Sequence, residues 1–453
     1  MLLSGGYDSM KKIILITAVL LLGSGLAFAK KSAGAKNKKI VEISANYTEE
    51  TQTKVCQKIF GELVDEYNQK KGTNYQLQLL TGQGMDIINT RMSSGDKPDL
   101  FSIDSPSDAN RYNKDHLLYD LSTYAVKYGW KNKMFPWAYD LALSDGKMMS
   151  MPFGYEGLLL WYNKSVMKKL GLNPSDIKDL ASFEGALQKA KNAGYIPVIL
   201  GTQDWPWAQE WYLSIMYSYT GRDLLKNTLE GKDTLGWKDP RFKSTVELYK
   251  SWNDKGWLAD GKSYILTSDD AINIFTTDKA LFKLEGTWAP YWILPLSKEE
   301  QDNIGVMLHP AINNVEKPHL PIAIGQEWCV SAGTKNADIC AFILDGLMQQ
   351  KYQGTFLDTG MDVAPIKIDD AQYAHLTPVV QNMWKIVNTA LNDNQFGYAT
   401  YAFYPPETRV YCYEGIVNVL SNKISIDDYL AKMQELNQKE LKAGFTPVIP
   451  SVK

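Results

Sequence analysis

The sequence predicts an α/β protein divided into two lobes, and three observations predict it. The chain has 453 residues, about three times the commonest single-domain size, so one core is a poor account of it. Residues 40–103 alternate strand and helix in the rhythm of a doubly wound parallel sheet. A further αβ stretch begins at Gly325. Composition agrees: 45% hydrophobic and 22% charged residues exclude a disordered, collagen-like or coiled-coil chain. Lys and Arg (48) balance Asp and Glu (51), so no basic excess exists to collect phosphates and no nucleic-acid partner is expected.

The chain opens on an address. Lys11-Lys12, the apolar run Ile13 to Phe28 and the small residues of Ala27-Phe28-Ala29 predict a secretory signal over 1–29, cleaved after Ala29. The alternative is a membrane anchor, for which the run is marginal in length and broken by Gly23 and Gly25. Residue 30 is Lys rather than a lipid-bearing Cys, so a free periplasmic product is expected. Residues 30–39 read as a basic leader.

Ile40 to Ser44 alternates at period two, a first strand. Glu49 to Gln69 spaces Val55, Ile59, Leu63 and Tyr67 by fours, a helix. Tyr75 to Leu80 is a strand, Asp86 to Met92 a helix and Asp99 to Ile103 a third strand. Later strands are predicted at 158–162, 197–200 and 328–332, with helices near 207–219, 242–256, 337–348 and 426–441. Ligands approach such sheets at the carboxyl ends of their strands, here Asn46-Tyr47, Gln83 and Asp104.

Catalytic and metal signatures are missing. GxGxxG, a Gly-rich loop ending in GK[ST], GxSxG and HExxH do not occur. Four Cys and four His are too scattered for a metal site, and buried free thiols are the default for Cys56, Cys329, Cys340 and Cys412. No cofactor is expected. Carboxylates beside aromatics leave a glycoside hydrolase as the enzymatic alternative.

Recognition of a sugar needs flat aromatic surface for its C–H faces and carboxylates or amides for its hydroxyl rim. Asp204, Trp205 and Trp207 form one such cluster, Trp288 with Tyr291-Trp292 a second, and Glu327-Trp328 a third. Each Trp also has a core reading, which is preferred for Trp237, Trp252, Trp257 and Trp384. Tyr155-Glu156-Gly157 precedes an apolar strand, so Glu156 is either a strand-end acceptor or a turn carboxylate. Asp104 either helps cap the next helix or reaches a ligand hydroxyl. Arg409, near Tyr404, Glu407 and Tyr411, clamps a ligand or, the preferred reading, pairs with Glu407. The Trp excess between Trp130 and Trp328 predicts a cleft with one wall richer in stacking surface.

Several stretches, in order, resemble the extracellular solute-binding proteins of bacterial ABC importers, in the sugar-binding family that includes maltose-binding protein. They are Ser94 to Leu100, Gly146 to Pro152, Tyr162-Asn163-Lys164, Lys279 to Phe282 with Gly286-Thr287-Trp288, Gly325 to Leu347 and Ile416 to Met433. The resemblance spans roughly residues 40–440. It implies a two-lobed type II periplasmic-binding-protein fold with a hinge and an interlobe cleft. One lobe would comprise 40–149 and 322–368, the other 150–321 and 369–453. It implies binding without catalysis, a carbohydrate ligand, a membrane permease with its ATPase as partner, and a monomer. By the same resemblance Glu156 touches sugar hydroxyls, Trp288 stacks, Asn46, Gln83 and Asp104 line the other wall, and Tyr404 matches an aromatic loop loosely. A polyamine or peptide ligand is the alternative within binding.

Overall fold

Alternating burial along Lys39–Ser44 (β1) and Tyr75–Leu80 (β2) turns one face of each strand inward, and they pair in parallel. The computed structural model describes residues 38–203, 210–313, 317–393, 395–398 and 403–449. Leu100–Ile103 (β3) joins β1, also in parallel. Leu143–Ser144 (β4) and Lys147–Met148 (β5) form a separate hairpin. Met151–Asn163 (β6), Ile196–Ile199 (β7), Ala280–Gly286 (β8), Ile304–Met307 (β9), Leu320–Val330 (β10) and Phe396–Tyr398 (β11) complete the strands. The large sheet runs β2-β1-β3-β10-β6-β8-β7, with β11 on β10 and β9 on β6.

Two long strands join the halves of this sheet. The carboxyl end of β10 pairs with β3 through Glu327↔Ile103 to Val330↔Leu100. Its earlier part pairs with the amino-terminal part of β6, from Ile322↔Gly157 to Trp328↔Met151. The remainder of β6 pairs with β8 and β9. The first half is thus β2, β1 and β3, the second β8, β7 and β9, and β6 and β10 run through both.

Both crossover strands begin earlier than their sequence suggests. Expected at 158 and 328, they start at Met151 and Leu320. A strand paired on both edges and covered on both faces loses the period-two signal and reads as a continuous apolar run. Glu156 therefore lies inside a strand and in no turn.

Helices cover the sheet. Glu50–Lys71 buries Cys56, Ile59, Phe60, Leu63, Val64 and Tyr67 and stops at Gly72, whose φ of 60° is the left-handed C-cap conformation. Ser105 caps Pro106–Lys114 by accepting from the Asp108 N–H (3.2 Å). Asp104 takes no part in that cap. Packing in the core is strongly aromatic: Trp130, Trp137, Trp161, Trp237, Trp252, Trp257, Trp292, Trp328 and Trp384 are all buried. Among the described Trp side chains Trp288 alone stays partly open, and Trp205 and Trp207, which share in the expected stacking wall, lie outside the described residues. The large apolar area of an indole favours the interior. All four cysteines are buried and free, and no described helix is long and apolar enough to cross a membrane.

Candidate functional site

The carboxyl ends of the first three parallel strands are knit together. The Asn46 N–H donates to Ser102 Oγ (2.9 Å), the Gln83 N–H to the Ala45 carbonyl (3.1 Å) and the Gly82 N–H to the Tyr47 carbonyl (2.8 Å). Asn46 Nδ2 reaches Asp104 Oδ1 at 3.4 Å. Burial raises the Asp104 pKa and neighbouring Asp108 adds to the rise, while Asn46 and the positive charge of Arg409 oppose it. Asn46, Gln83 and Asp104 therefore lie at one end of the sheet, with Arg409 in electrostatic range. Arg409 does not form the predicted pair with Glu407, which Lys439 takes at 2.6 Å.

Tyr47 links this wall to the crossover strands. Its hydroxyl donates to Gln326 Oε1 at 2.7 Å. Burial, with Cys56 and Asp362 nearby, holds the phenol well above its ordinary pKa, so it stays a donor.

Three strand glycines are each closely approached by a side chain. On β8, a Cβ at Gly286 would sit 2.0 Å from Trp288 Cζ3, so the indole rests on the bare backbone. On β10, a Cβ at Gly325 would sit 1.8 Å from Glu156 Oε1. On β6, Gly154 has φ +64°, and a Cβ there would meet Asp362 Cβ at 3.2 Å and Asp362 Oδ2 at 3.4 Å. Phe153 pairs with Gln326 and Tyr155 with Ile324, which sets Gly154 opposite Gly325. Strands lie about 4.8 Å apart, so Gly154, met by Asp362 and Gln326, and Gly325, met by Glu156, are neighbouring stretches of backbone. Glycine in a strand interior often marks such close approach. Burial raises the Asp362 pKa to about 6.

The Trp288 indole is fixed at its edge. Its Nε1 donates to Glu285 Oε1, and Glu285 Oε2 pairs with Lys283 Nζ at 2.7 Å. The Gly157 N–H donates to Thr287 Oγ1 (3.2 Å), and the Thr287 N–H donates to the Gly157 carbonyl (2.9 Å). These bonds tie the chain next to Trp288 to the chain next to Glu156. An aromatic platform, carboxyl groups, an amide and a phenol are thus held against β6, β8 and β10, groups suited to a ligand with apolar faces and a rim of donors.

Other expected contacts are core side chains, which corrects the sequence reading. Tyr155 is buried in edge-on contact with Phe135, Trp137 and Trp384. Trp328 is buried edge-on to Phe60, and Tyr404 packs edge-on to Trp237 with its hydroxyl toward Met216 Sδ. Glu327 is completely enclosed, and burial raises its pKa to about 8. Strand alternation explains this group: Glu156 and Tyr155, being adjacent on β6, face opposite sides of the sheet. Asp204, Trp205 and Trp207 lie outside the described residues. The sequence reading does not single out Gln326, Asp362, Glu285 or Lys283, which the fold brings to the same strands. Among the described residues no group of three or more His, Cys, Asp or Glu is placed to hold a metal.

A family model described as "Bacterial extracellular solute-binding protein" matches residues 51–343. An uncharacterised ABC transporter extracellular-binding protein of Pyrococcus horikoshii is 23% identical over 208 residues, 45% of this chain and 45% of that protein. A maltodextrin-binding protein of Bacillus subtilis is 28% identical over 203 residues, 43% of this chain and 44% of that protein. The matched part is under half the length of these curated relatives. A solved structure titled "Chitin oligosaccharide binding protein" superposes with a TM-score of 0.74 at 17% identity, covering 89% of this chain and 100% of that one. This last likeness is one of fold: an α/β, two-lobed binding-protein architecture.

Proposed function

The chain belongs to the bacterial extracellular solute-binding proteins, and from that premise we propose that it captures a sugar or oligosaccharide between its lobes and delivers it to the permease of an ABC importer. The observation that carries the reading is that two strand glycines are covered by ligand-type side chains, Gly286 by the Trp288 indole and Gly325 by the Glu156 carboxyl group. A pyranose stacked on the indole would give its hydroxyls to Glu156 and Asp362. Asn46, Gln83 and Asp104 would close on it from the other wall, with Arg409 at the rim. The maltodextrin and chitin-oligosaccharide names among the similar proteins support a carbohydrate.

The mechanism follows from β6 and β10 running through both halves. Small rotations within these strands act as the hinge, and residues 40–149 with 322–368 move against 150–321 with 369–453. A ligand touching both walls binds the closed arrangement better and shifts the equilibrium by that difference. Closure alters the outer surface that the permease reads. The protein acts as a monomer in the periplasm after loss of residues 1–29, and the ligand leaves chemically unchanged.

A thermal-shift panel of mono- and oligosaccharides, polyamines and peptides on the mature protein tests this reading. At least one carbohydrate should raise Tm in a concentration-dependent way. A shift with a polyamine or peptide and none with any carbohydrate would overturn it.

A further inference from the structure

The two halves also meet away from the crossover strands. The helix Pro106–Lys114 follows Asp104 in the first half, and the chain leaving the last helix, Ile426–Lys442, crosses over to it. Asn110 Nδ2 donates to the Thr446 carbonyl at 2.9 Å. Lys114 Nζ donates to Thr446 Oγ1 at 3.0 Å and to the Gly444 carbonyl. The Asn110 amide is held for this task, because its Oδ1 accepts from Ser144 Oγ at 2.8 Å and leaves the nitrogen for Thr446.

Both ends of the crossing segment belong to the second half. Glu440 accepts from the Glu407 N–H (2.8 Å), the Thr408 N–H (2.9 Å) and Thr408 Oγ1 (2.7 Å), which ties the last helix to the start of Pro406–Leu420. Ile449 is buried, and its carbonyl accepts from Lys226 Nζ at 3.3 Å. A groove of about 380 Å3 separates Asn110, Arg111 and Lys114 on one side from Pro406, Glu407 and Glu440 on the other. A few polar bonds around a groove, in place of a large interlocked apolar face, make a seam that parts at low cost. Asp104 stands just before the first of these helices and Arg409 lies on Pro406–Leu420, and their charges interact. The seam is therefore shut in the arrangement that brings the two walls together.

We propose that Asn110 and Lys114 are positioning residues that clasp Gly444 and Thr446, hold part of the population closed before ligand arrives, and so add one common factor to the affinity for every ligand. This rests on the hinged, two-lobed reading above and not on the class of ligand. A clasp away from the ligand changes only the fraction of chains in the closed arrangement, and apparent affinity scales with that fraction. A residue that touches ligand acts unequally on ligands of different shape.

The double variant Asn110→Asp with Lys114→Ala tests the clasp. Asp at 110 still accepts from Ser144 but turns an acceptor toward the Thr446 carbonyl, and Ala at 114 removes the other bonds. Small-angle X-ray scattering of the ligand-free mature protein should give the variant a larger radius of gyration than wild type. Calorimetry then uses the two members of the thermal-shift panel above that raise Tm most, whatever their class. Both should weaken by the same factor, about tenfold. Lys114→Ala alone, at an exposed position, should move both readouts the same way by less. Melting temperatures without ligand check that the variants are folded. Equal radii, unchanged affinities, or a loss confined to one of the two ligands would overturn the clasp. A panel in which only polyamines or peptides bind would overturn the carbohydrate reading and leave this test in force.

Discussion

The Trp288 indole lies across Gly286, with three of its ring carbons within 2.4 Å of where a Cβ would stand. Gly286→Ala must therefore lift the ring or bend β8. Overpacking of this kind costs about 1–3 kcal/mol, and the displaced ring no longer offers its face in the same plane. The variant should melt lower than wild type and bind its carbohydrate about tenfold or more weakly, by calorimetry. Wild-type affinity in a folded Gly286→Ala protein would remove the stacking role.

Behind that ring, Lys283 and Glu285 form an ion pair with side chains 7% and 12% exposed. Removing one member strands a buried charge, at a cost of about 3–5 kcal/mol, whereas replacing both with neutral groups is often far cheaper. Glu285→Gln should accordingly destabilise strongly in denaturant melts, and adding Lys283→Met should recover much of the loss. A double variant as unstable as the sum of the two single ones would show that the pair does not act as a unit.

Burial carries the Glu327 carboxyl from its ordinary 4.5 to about 8. Between those values the folded chain keeps a proton that the unfolded chain has released. Unfolding free energy should fall as pH rises through that window and flatten above it. Glu327→Gln, which mimics the neutral acid, should erase this slope in melts collected from pH 5 to 9. An unchanged slope would assign it to other groups.

The main chains of His309 and His319 exchange N–H to carbonyl hydrogen bonds at 3.2 and 3.0 Å, and their buried imidazoles have ring centroids 5.8 Å apart. Burial depresses both, His319 to about 3. Both are neutral when folded, so the stability they contribute is present above their ordinary pKa of 6.5 and lost as pH falls toward 3. His319→Phe keeps ring packing against Tyr217, 5.0 Å away. It should flatten part of the acid limb of Tm against pH, whereas an identical limb would contradict the assignment.

Legibility in the sequence followed edge and face. β1, β2 and β3 were readable because each is short and the helices between them carry a clear period. Their carboxyl ends placed Asn46, Gln83 and Asp104 at once, since a parallel sheet fixes where its strands stop. The starts of β6 and β10 were not readable because strands buried on both faces carry no alternation. Asp362 and Gln326 were out of reach for another reason. Their positions depend on the pairing of Phe153 with Gln326 and on the Tyr155–Val363 bond, contacts between segments far apart in the chain. Aromatic density does not mark ligand surface at Tyr155, Trp328 and Tyr404, whose large rings fill the core.

The central claim is that the face of the sheet carrying Trp288 and Glu156 holds a carbohydrate. The most direct measurement is a calorimetric titration with the oligosaccharide giving the largest thermal shift, on wild type and on folded Trp288→Ala. The account predicts saturable binding to the wild type and a loss of about thirtyfold or more in the variant, as expected for removing an aromatic anchor. Equal affinity in the two proteins would contradict it.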